Sequence, residues 1–432
     1  MSKFASRLRV DAALMRADAA DAASVFTLRL DKEARAFADA ADVSHLTRSH
    51  TPLLGMRATV KDNFDLAGYP TTAGSKVLAD APAAKTDAAV VSRLRRVGCV
   101  ILGRTNMTEF AFSGLGLNPH YGTPINPAFP GEARIPGGSS SGAAVSVALG
   151  IAPIAIGTDT GGSIRIPAAL CGLSGFKPTA SAVSREGVLP LSTTLDTVGV
   201  IARTAKDCAT MFDVIRDTPA AARPVLPARR IRLGVVTNYV TDAVSPEVQE
   251  VIARSIALLE AAGVSIEPIV IGELDAIPEM MNDGTFAAAE AFAWHSSLLG
   301  DGRQGEYDPR VLVRIEAGEA MTASAYVRLI EHRRNLIDAV GRRSAGLDAF
   351  LWPTVPFIAP AIDSLADDSA YHAANALALR NSTVVNLIDG CAISIPCPVE
   401  SAPVGLTLAA GSGRDDWLLS VAATLQSLLA GA

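Results

Sequence analysis

Three short segments of this 432-residue chain carry residue types that could do chemistry: TVKDNF at 59–64, PGGSSSG at 136–142 and GTDTGGSIRIPAA at 157–169. In the third, an apolar run from Ile151 to Gly157 has the length of a buried strand. It leads through Thr158, Asp159 and Thr160 to Gly161 and Gly162, and Ser163 then opens a segment that can turn helical. A strand-to-helix turn of this kind presents a serine hydroxyl for nucleophilic attack. The two glycines let the main chain approach a ligand closely, so the N–H groups of Thr160, Gly161, Gly162 and Ser163 could face a developing oxyanion. A plain turn with Ser163 as helix N-cap would have the same sequence.

The second segment contains a formal G-x-S-x-G centred on Ser140, but PGEARIP precedes it where a nucleophile elbow needs an apolar strand. Without G-K-[ST] it is not a phosphate loop either, and its composition also fits a flexible turn. In the first segment Met56, Ala58 and Val60 alternate with Arg57, Thr59 and Lys61, which places Lys61 at the end of a short strand. A lysine there is ordinarily solvated. Buried, it would lose its proton more readily and could accept one from a serine near neutral pH. A separate S-x-x-K, Ser174 to Lys177, is set aside because Pro178 disfavours the helical geometry that motif requires.

The elements that must position these residues are those of an α/β sheet, since strand-length apolar segments alternate with helix-like ones. Val97 to Leu102 runs into the helix-like TNMTEFAF, and the Ala143–Leu149 stretch leads to IAPIAIG. A Pro-rich connector, Thr218 to Arg230, is followed by IRLGVV, a strand. The helix SPEVQEVIARSIALLEAAG comes next, with Ser245 as N-cap and Gly263 as stop, and VSIEPIVI returns as a strand. AFLWP, CAISIP and VGLTLAA are further buried strands, and DDWLLSVAATLQSLLA is a closing helix. Residues 1–50 are helical in pattern, and nothing at the connector requires a domain division.

Composition excludes several functions. The net charge is -6 with no long run of either sign, so nothing points to nucleic acid or an anionic membrane. Five scattered cysteines make neither a disulfide framework nor a zinc site, and the six histidines form no ligand motif, so no metal is expected. The N-terminus lacks a secretory h-region, and the apolar stretches fall short of the roughly 20 residues that span a bilayer. A cytoplasmic location is expected.

Taken together the segments resemble the amidase signature family. The likeness runs through PLLGMRATVKDNFDLAGYPTTAGS, VILGRTNMTEF, NPHYGTPINP, PGGSSSGAAVSVALG, GTDTGGSIRIPAALCGLSGFKPT and LDTVGVIARTAKD, over about residues 52–210. It implies a Ser-cis-Ser-Lys triad of Ser163, Ser139 and Lys61, the serines being 24 residues apart (163 minus 139), as in that family. It also implies an oxyanion hole from the backbone of Thr160 to Ser163 and a cis peptide before Ser139. Ser140, Thr158, Asp159 and Arg165 would hold the turn and the cis loop, although Arg165 could instead meet an anionic substrate. Ser141 departs from the family's glycine at that position.

The implied fold is a single α/β domain, a central mixed sheet covered by helices on both faces. Residues 1–50 would be a helical segment packed on the core and residues 51–432 the amidase signature domain. The implied activity is hydrolysis of a small-molecule carboxamide through an acyl-enzyme on Ser163, with no cofactor, no metal, no nucleic acid and no membrane; a homodimer is left open. Segments 112–121, 190–196, 285–310 and 370–390 should wall a compact pocket. The same triad also serves the A chain of glutamine-dependent amidotransferases, and an inactive binding or scaffolding protein is the reading of a different class.

Overall fold

Eleven strands form one sheet in the computed structural model, which describes residues 5–46, 53–399 and 401–431. They are β1 (Phe26–Arg29), β2 (Arg57–Lys61), β3 (Val100–Thr105), β4 (Ile154–Asp159), β5 (Ser174–Lys177), β6 (Thr197–Ala202), β7 (Arg232–Val236), β8 (Ser265–Ile269), β9 (Ala349–Pro353), β10 (Cys391–Pro396) and β11 (Gly405–Ala410). Their spatial order is β1-β3-β2-β4-β6-β5-β10-β11-β9-β7-β8. Pairing is parallel within β3-β2-β4 and β9-β7-β8. It is antiparallel elsewhere, so the sheet is mixed.

Every residue of β3, β4, β6 and β11 is buried, which explains their near-continuous apolar character. Strand alternation sends Ala58, Val60, Ile154 and Ile156 to one face, in an apolar cluster with Leu94 of the helix Ala89–Arg96 and Met211 and Phe212 of the helix Ala205–Ile215. The same cluster continues to the helices Pro246–Ala261 and Asp415–Ala430, which cover β8 to β11. Ala155 and Leu102 point the other way, against Val145 and Val147 of the helix Ser141–Ala148 and Val10 and Leu14 of the helix Ala5–Ala17. Two layers of helix therefore enclose the sheet, and the parallel pairing of β2 with β4 brings their C-terminal ends, Lys61 and Asp159, to the same edge of the core.

Several local expectations need correction. The N-terminal stretch is not helical throughout: Phe26–Arg29 pairs antiparallel with β3, because an edge position gives this short FTLR segment a ladder that its local pattern does not announce. The boundary expected between residues 50 and 51 lies outside the described residues. TNMTEFAF is not a helix. It makes one 3-10 turn at Glu109–Ala111, with Phe110 and Ala111 at positive φ (49° and 61°). β4 begins at Ile154 rather than Ile151, since the N–H groups of Ile151 and Ala152 still close the preceding helix on Ser146 O. The helix N-cap at Ser245 is formed, its hydroxyl accepting from Val248 N, and Gly263 follows the helix end at φ +94°. The strands on both sides of the Pro-rich connector belong to the one sheet.

Candidate active site

The end of β2 delivers Lys61 into the protein, not to solvent: the residue is fully buried. Its Nζ donates to Ser139 Oγ at 2.7 Å and to Thr158 Oγ1 at 2.8 Å. Thr158 lies near the end of the neighbouring β4, so the second contact follows from parallel pairing. Among the described residues no carboxylate ion-pairs with this amine. Burial pushes the Lys61 pKa down from 10.5 to about 7, against the opposing pull of Asp196 and Asp159.

Ser139 follows a cis peptide bond after Gly138. A Cβ on Gly138 would lie 2.5 Å from Gly116 N and 2.8 Å from Thr108 Oγ1, so only glycine lets these loops touch. Thr108 N donates to Ser139 O at 3.1 Å. Ser140, at the entrance to the helix Ser141–Ala148, joins this loop to the next segment: its N–H donates to Ser163 O at 3.2 Å and its Oγ to Thr158 O at 3.3 Å. The serine of the formal G-x-S-x-G is therefore occupied in holding the two serine loops together.

After β4 the chain turns at residues 160–164 into the helix Arg165–Leu170, and Thr160, Gly161 and Ser163 line a cavity of about 370 Å³. Asp159, fully buried beneath this turn, is the acceptor around which it is wound. Its Oδ1 takes the Gly162 N–H (2.8 Å) and its Oδ2 the Ile164 N–H (3.2 Å). Arg165 grips both oxygens, Nε to Oδ2 at 3.0 Å and Nη2 to Oδ1 at 2.9 Å. Burial alone would raise the Asp159 pKa, but the Arg165 guanidinium outweighs it and holds the carboxyl at about 2. Arg165 is itself fully buried and also donates to Ser382 O (2.8 Å) and Asn386 Oδ1 (2.7 Å), so its guanidinium braces the turn and is not part of the cavity wall.

One expected oxyanion donor is placed differently. The Gly162 N–H is spent on Asp159, which leaves the N–H groups of Thr160, Gly161 and Ser163 without a protein acceptor among the described residues. No hydrogen bond joins Ser163 Oγ to Ser139 Oγ among those residues either. Gly162 adopts φ +130°, and a Cβ there would fall 2.1 Å from Ser382 Oγ.

Four residues that local sequence reasoning does not single out complete the site. Asp196, buried, accepts from Thr160 Oγ1 (2.6 Å), Leu191 N (2.9 Å) and Ser192 N (3.1 Å), and burial pushes its pKa up to about 6 despite these donors. Its motif, LDTVGV, is visible in the sequence, but nothing local aims its carboxylate. Asn386, Ser382 and Thr383 come from the helix Asp368–Leu387. Asn386 Nδ2 donates to Asp159 O and Oδ1 at 3.1 and 3.0 Å, while Ser382 and Thr383 hydroxyls donate to Gly161 O at 2.5 and 3.2 Å. The Gly161–Gly162 peptide is thus held at both ends, its carbonyl by these hydroxyls and its N–H by Asp159. The set-aside pair Ser174 and Lys177 lies on β5, three residues apart in extended chain, so the two side chains point to opposite faces.

The rest of the cavity wall is mainly apolar: Phe112, Leu191, Leu195, Ile277, Met281 and Leu379. All four segments expected to form it do so in part, with Thr285 and Ala287 contributed by the third; Tyr239, Ile277, Pro278, Met281 and Arg314 lie outside them. Among the described residues no cluster of three or more His, Cys, Asp and Glu could hold a metal, and no helix is long and apolar enough to cross a membrane.

Known proteins share this architecture. The amidase family profile matches residues 9–419. A 2-amino-5-chloromuconic acid deaminase from Comamonas testosteroni is 34% identical, covering 88% of this chain and 82% of its own. The A chain of a glutamyl-tRNA(Gln) amidotransferase from Symbiobacterium thermophilum is 35% identical, covering 87% and 83%. A crystal structure of an amidase superposes with a TM-score of 0.89 at 30% identity, covering 98% of this chain and 96% of that one. With a family match over nearly its whole length, a mixed sheet between helical layers, and a lysine and serines gathered at the ends of its strands and turns, the chain belongs to the amidase family of hydrolases.

Proposed function

We propose that this chain is a serine amidohydrolase that cleaves a small-molecule carboxamide to a carboxylate and ammonia or an amine, with Ser163 as nucleophile, Ser139 as relay and Lys61 as base. The observation that carries this reading is the buried Lys61 amine, hydrogen-bonded to Ser139 and with its pKa brought to about 7, behind the wall on which Ser163 sits. Half of such amines are neutral near pH 7, which is the state a base needs.

In the forward step Ser163 Oγ forms a bond to the amide carbonyl carbon. Its proton passes to Ser139 Oγ while the Ser139 proton passes to Lys61 Nζ. The carbonyl π electrons move to oxygen, where the N–H groups of Thr160, Gly161 and Ser163 can meet the negative charge. The tetrahedral species then expels nitrogen, which takes a proton back from the Lys61 ammonium through Ser139. Water repeats the sequence on the acyl-enzyme and releases the carboxylate. The relay needs a contact between the two serine hydroxyls; catalytic hydrogen bonds are commonly long until substrate aligns the groups.

A second reading is favoured by the 35% identity to an amidotransferase chain, in which the triad would serve to release ammonia within a larger assembly. One experiment addresses both. The purified chain is treated with a fluorophosphonate and, separately, offered a panel of simple amides with ammonia detection. The expected result is a single adduct on the peptide containing Ser163 and unaided ammonia release that Ser163→Ala abolishes. Turnover by Ser163→Ala at about a tenth of the unmodified rate would overturn the assignment, and labelling of Ser163 without any unaided turnover would favour the amidotransferase reading.

A further inference from the structure

The cavity wall that carries Ser163 also carries two arginines, Arg314 and Arg380, and no aspartate or glutamate. Arg314 belongs to the helix Pro309–Glu316. Its guanidinium lies 4.5 Å from the centre of the Phe112 ring, and among the described residues it has neither an ion-pair partner nor a hydrogen bond. One turn earlier on the same helix, Arg310 reaches Asp368 at 2.7 Å, so this surface has a carboxylate to offer and Arg314 is turned away from it. Arg380 sits on the helix Asp368–Leu387, one turn before the hydroxyls that hold Gly161 O. Its Nε donates to Asn381 Oδ1 at 2.9 Å and its Nη2 to Val240 O at 3.5 Å, and no carboxylate is within ion-pairing distance among the described residues.

Two half-buried cations set among leucine, isoleucine and methionine side chains have given up part of their hydration with no carboxylate in contact among the described residues, Asp242 acting on Arg380 only from beyond ion-pairing distance. Burial lowers both pKa values, yet a guanidinium stays charged at any physiological pH. An unpaired charge in such a wall is costly, and a bound anion is what offsets it. A carboxylate suits the planar fork of arginine better than any neutral group of the same size.

We propose that the substrate is an amide carrying a carboxylate remote from the scissile carbonyl, the monoamide of a short dicarboxylic acid, with its carboxylate received by Arg314 and Arg380. The inference rests on the amidase reading above and names its substrate class. A cavity of about 370 Å³ restricts such a molecule to a small one.

The test compares amides matched in length: succinamate with butyramide, and glutaramate with valeramide. The carboxylated member of a pair should have at least roughly tenfold higher kcat/KM. That preference should fall by about tenfold or more in Arg314→Met and in Arg380→Met, chiefly through KM, and be partly restored by Arg314→Lys and Arg380→Lys, which keep the charge. Equal kcat/KM for charged and neutral members would overturn the inference while leaving the amidase reading in place. Should neither member be hydrolysed, the amidase reading fails instead, and calorimetric binding to Ser163→Ala decides the inference. Succinamate bound about tenfold or more tightly than butyramide supports it, and equal binding overturns it.

Discussion

Lowering the pH through 7 should switch this protein off by reprotonating Lys61. The magnitude follows from burial: the fall from 10.5 to about 7 means that the folded protein disfavours the ammonium by about 5 kcal/mol relative to water. An exposed lysine would be neutral in about one molecule in three thousand at pH 7, whereas here about half are. The neutral form is the base, so activity is present above the folded pKa and is lost as pH falls through it. About ten molecules in eleven are competent at pH 8 and about one in eleven at pH 6, a roughly tenfold loss of kcat/KM. Asp196, whose pKa is pushed up to about 6, titrates over the adjoining range, so the limb belongs to the coupled pair and should be shallow at its foot. The assay is kcat/KM for a neutral amide, which does not itself titrate, from about pH 5.5 to about 9 at constant ionic strength. Lys61→Arg is the companion variant: it keeps the positive charge but cannot supply a neutral base, and should lose about a hundredfold or more at every pH. A flat profile, or a limb centred near 10.5 as for an exposed lysine, would refute the argument that burial makes Lys61 a base.

Three further outcomes are expected. Ser139→Ala and Lys61→Ala should each lower kcat by about two to four orders of magnitude, and the double variant should be no slower than the slower single one, because a relay works as a unit; additive losses measured under saturating substrate would dismantle it. Gly162→Ala places a Cβ 2.1 Å from Ser382 Oγ at φ +130°, so thermal unfolding should move to lower temperature and turnover should fall by about tenfold or more; a variant with unchanged Tm and rate would show that the turn tolerates the methyl. Arg165→Lys keeps the charge but not the planar fork that holds Asp159, Ser382 and Asn386, and should cost about 2 kcal/mol in denaturant unfolding while lowering turnover of neutral and carboxylated amides alike; a loss confined to carboxylated amides would place Arg165 in substrate binding.

The features legible in the sequence are local ones. The alternation ending at Lys61, the turn glycines before Ser163 and the apolar runs of β9, β10 and β11 are set by neighbours a few residues away, and so are the cap at Ser245 and the closing helix. Such patterns survive without knowledge of the fold because propensity and periodicity act over one or two turns. Segments whose state is imposed from outside were not readable. FTLR is a strand because β3 offers it an edge, TNMTEFAF is not a helix because Phe110 and Ala111 are held at positive φ, and β5 and β6 escaped notice although β6 is fully buried.

The chemistry divides in the same way. Residue type nominated Lys61 and Ser163, and the family resemblance added Ser139, but a lysine after a short strand is a surface residue or a base according to burial alone. Here β4 and the cis loop close over its amine and give it the burial that the proposed base requires. Asp159 and Arg165 are near neighbours in the chain, yet their pair is completed by Asn386 and Ser382 from a helix far along it. Asp196 reaches Thr160 across the pairing of β4 with β6, and Arg314 and Arg380 face the cavity because of how two distant helices pack against it. Desolvation and long-range hydrogen bonding depend on which segments meet in space, and no local pattern encodes that meeting; it is fixed by the packing of the whole chain.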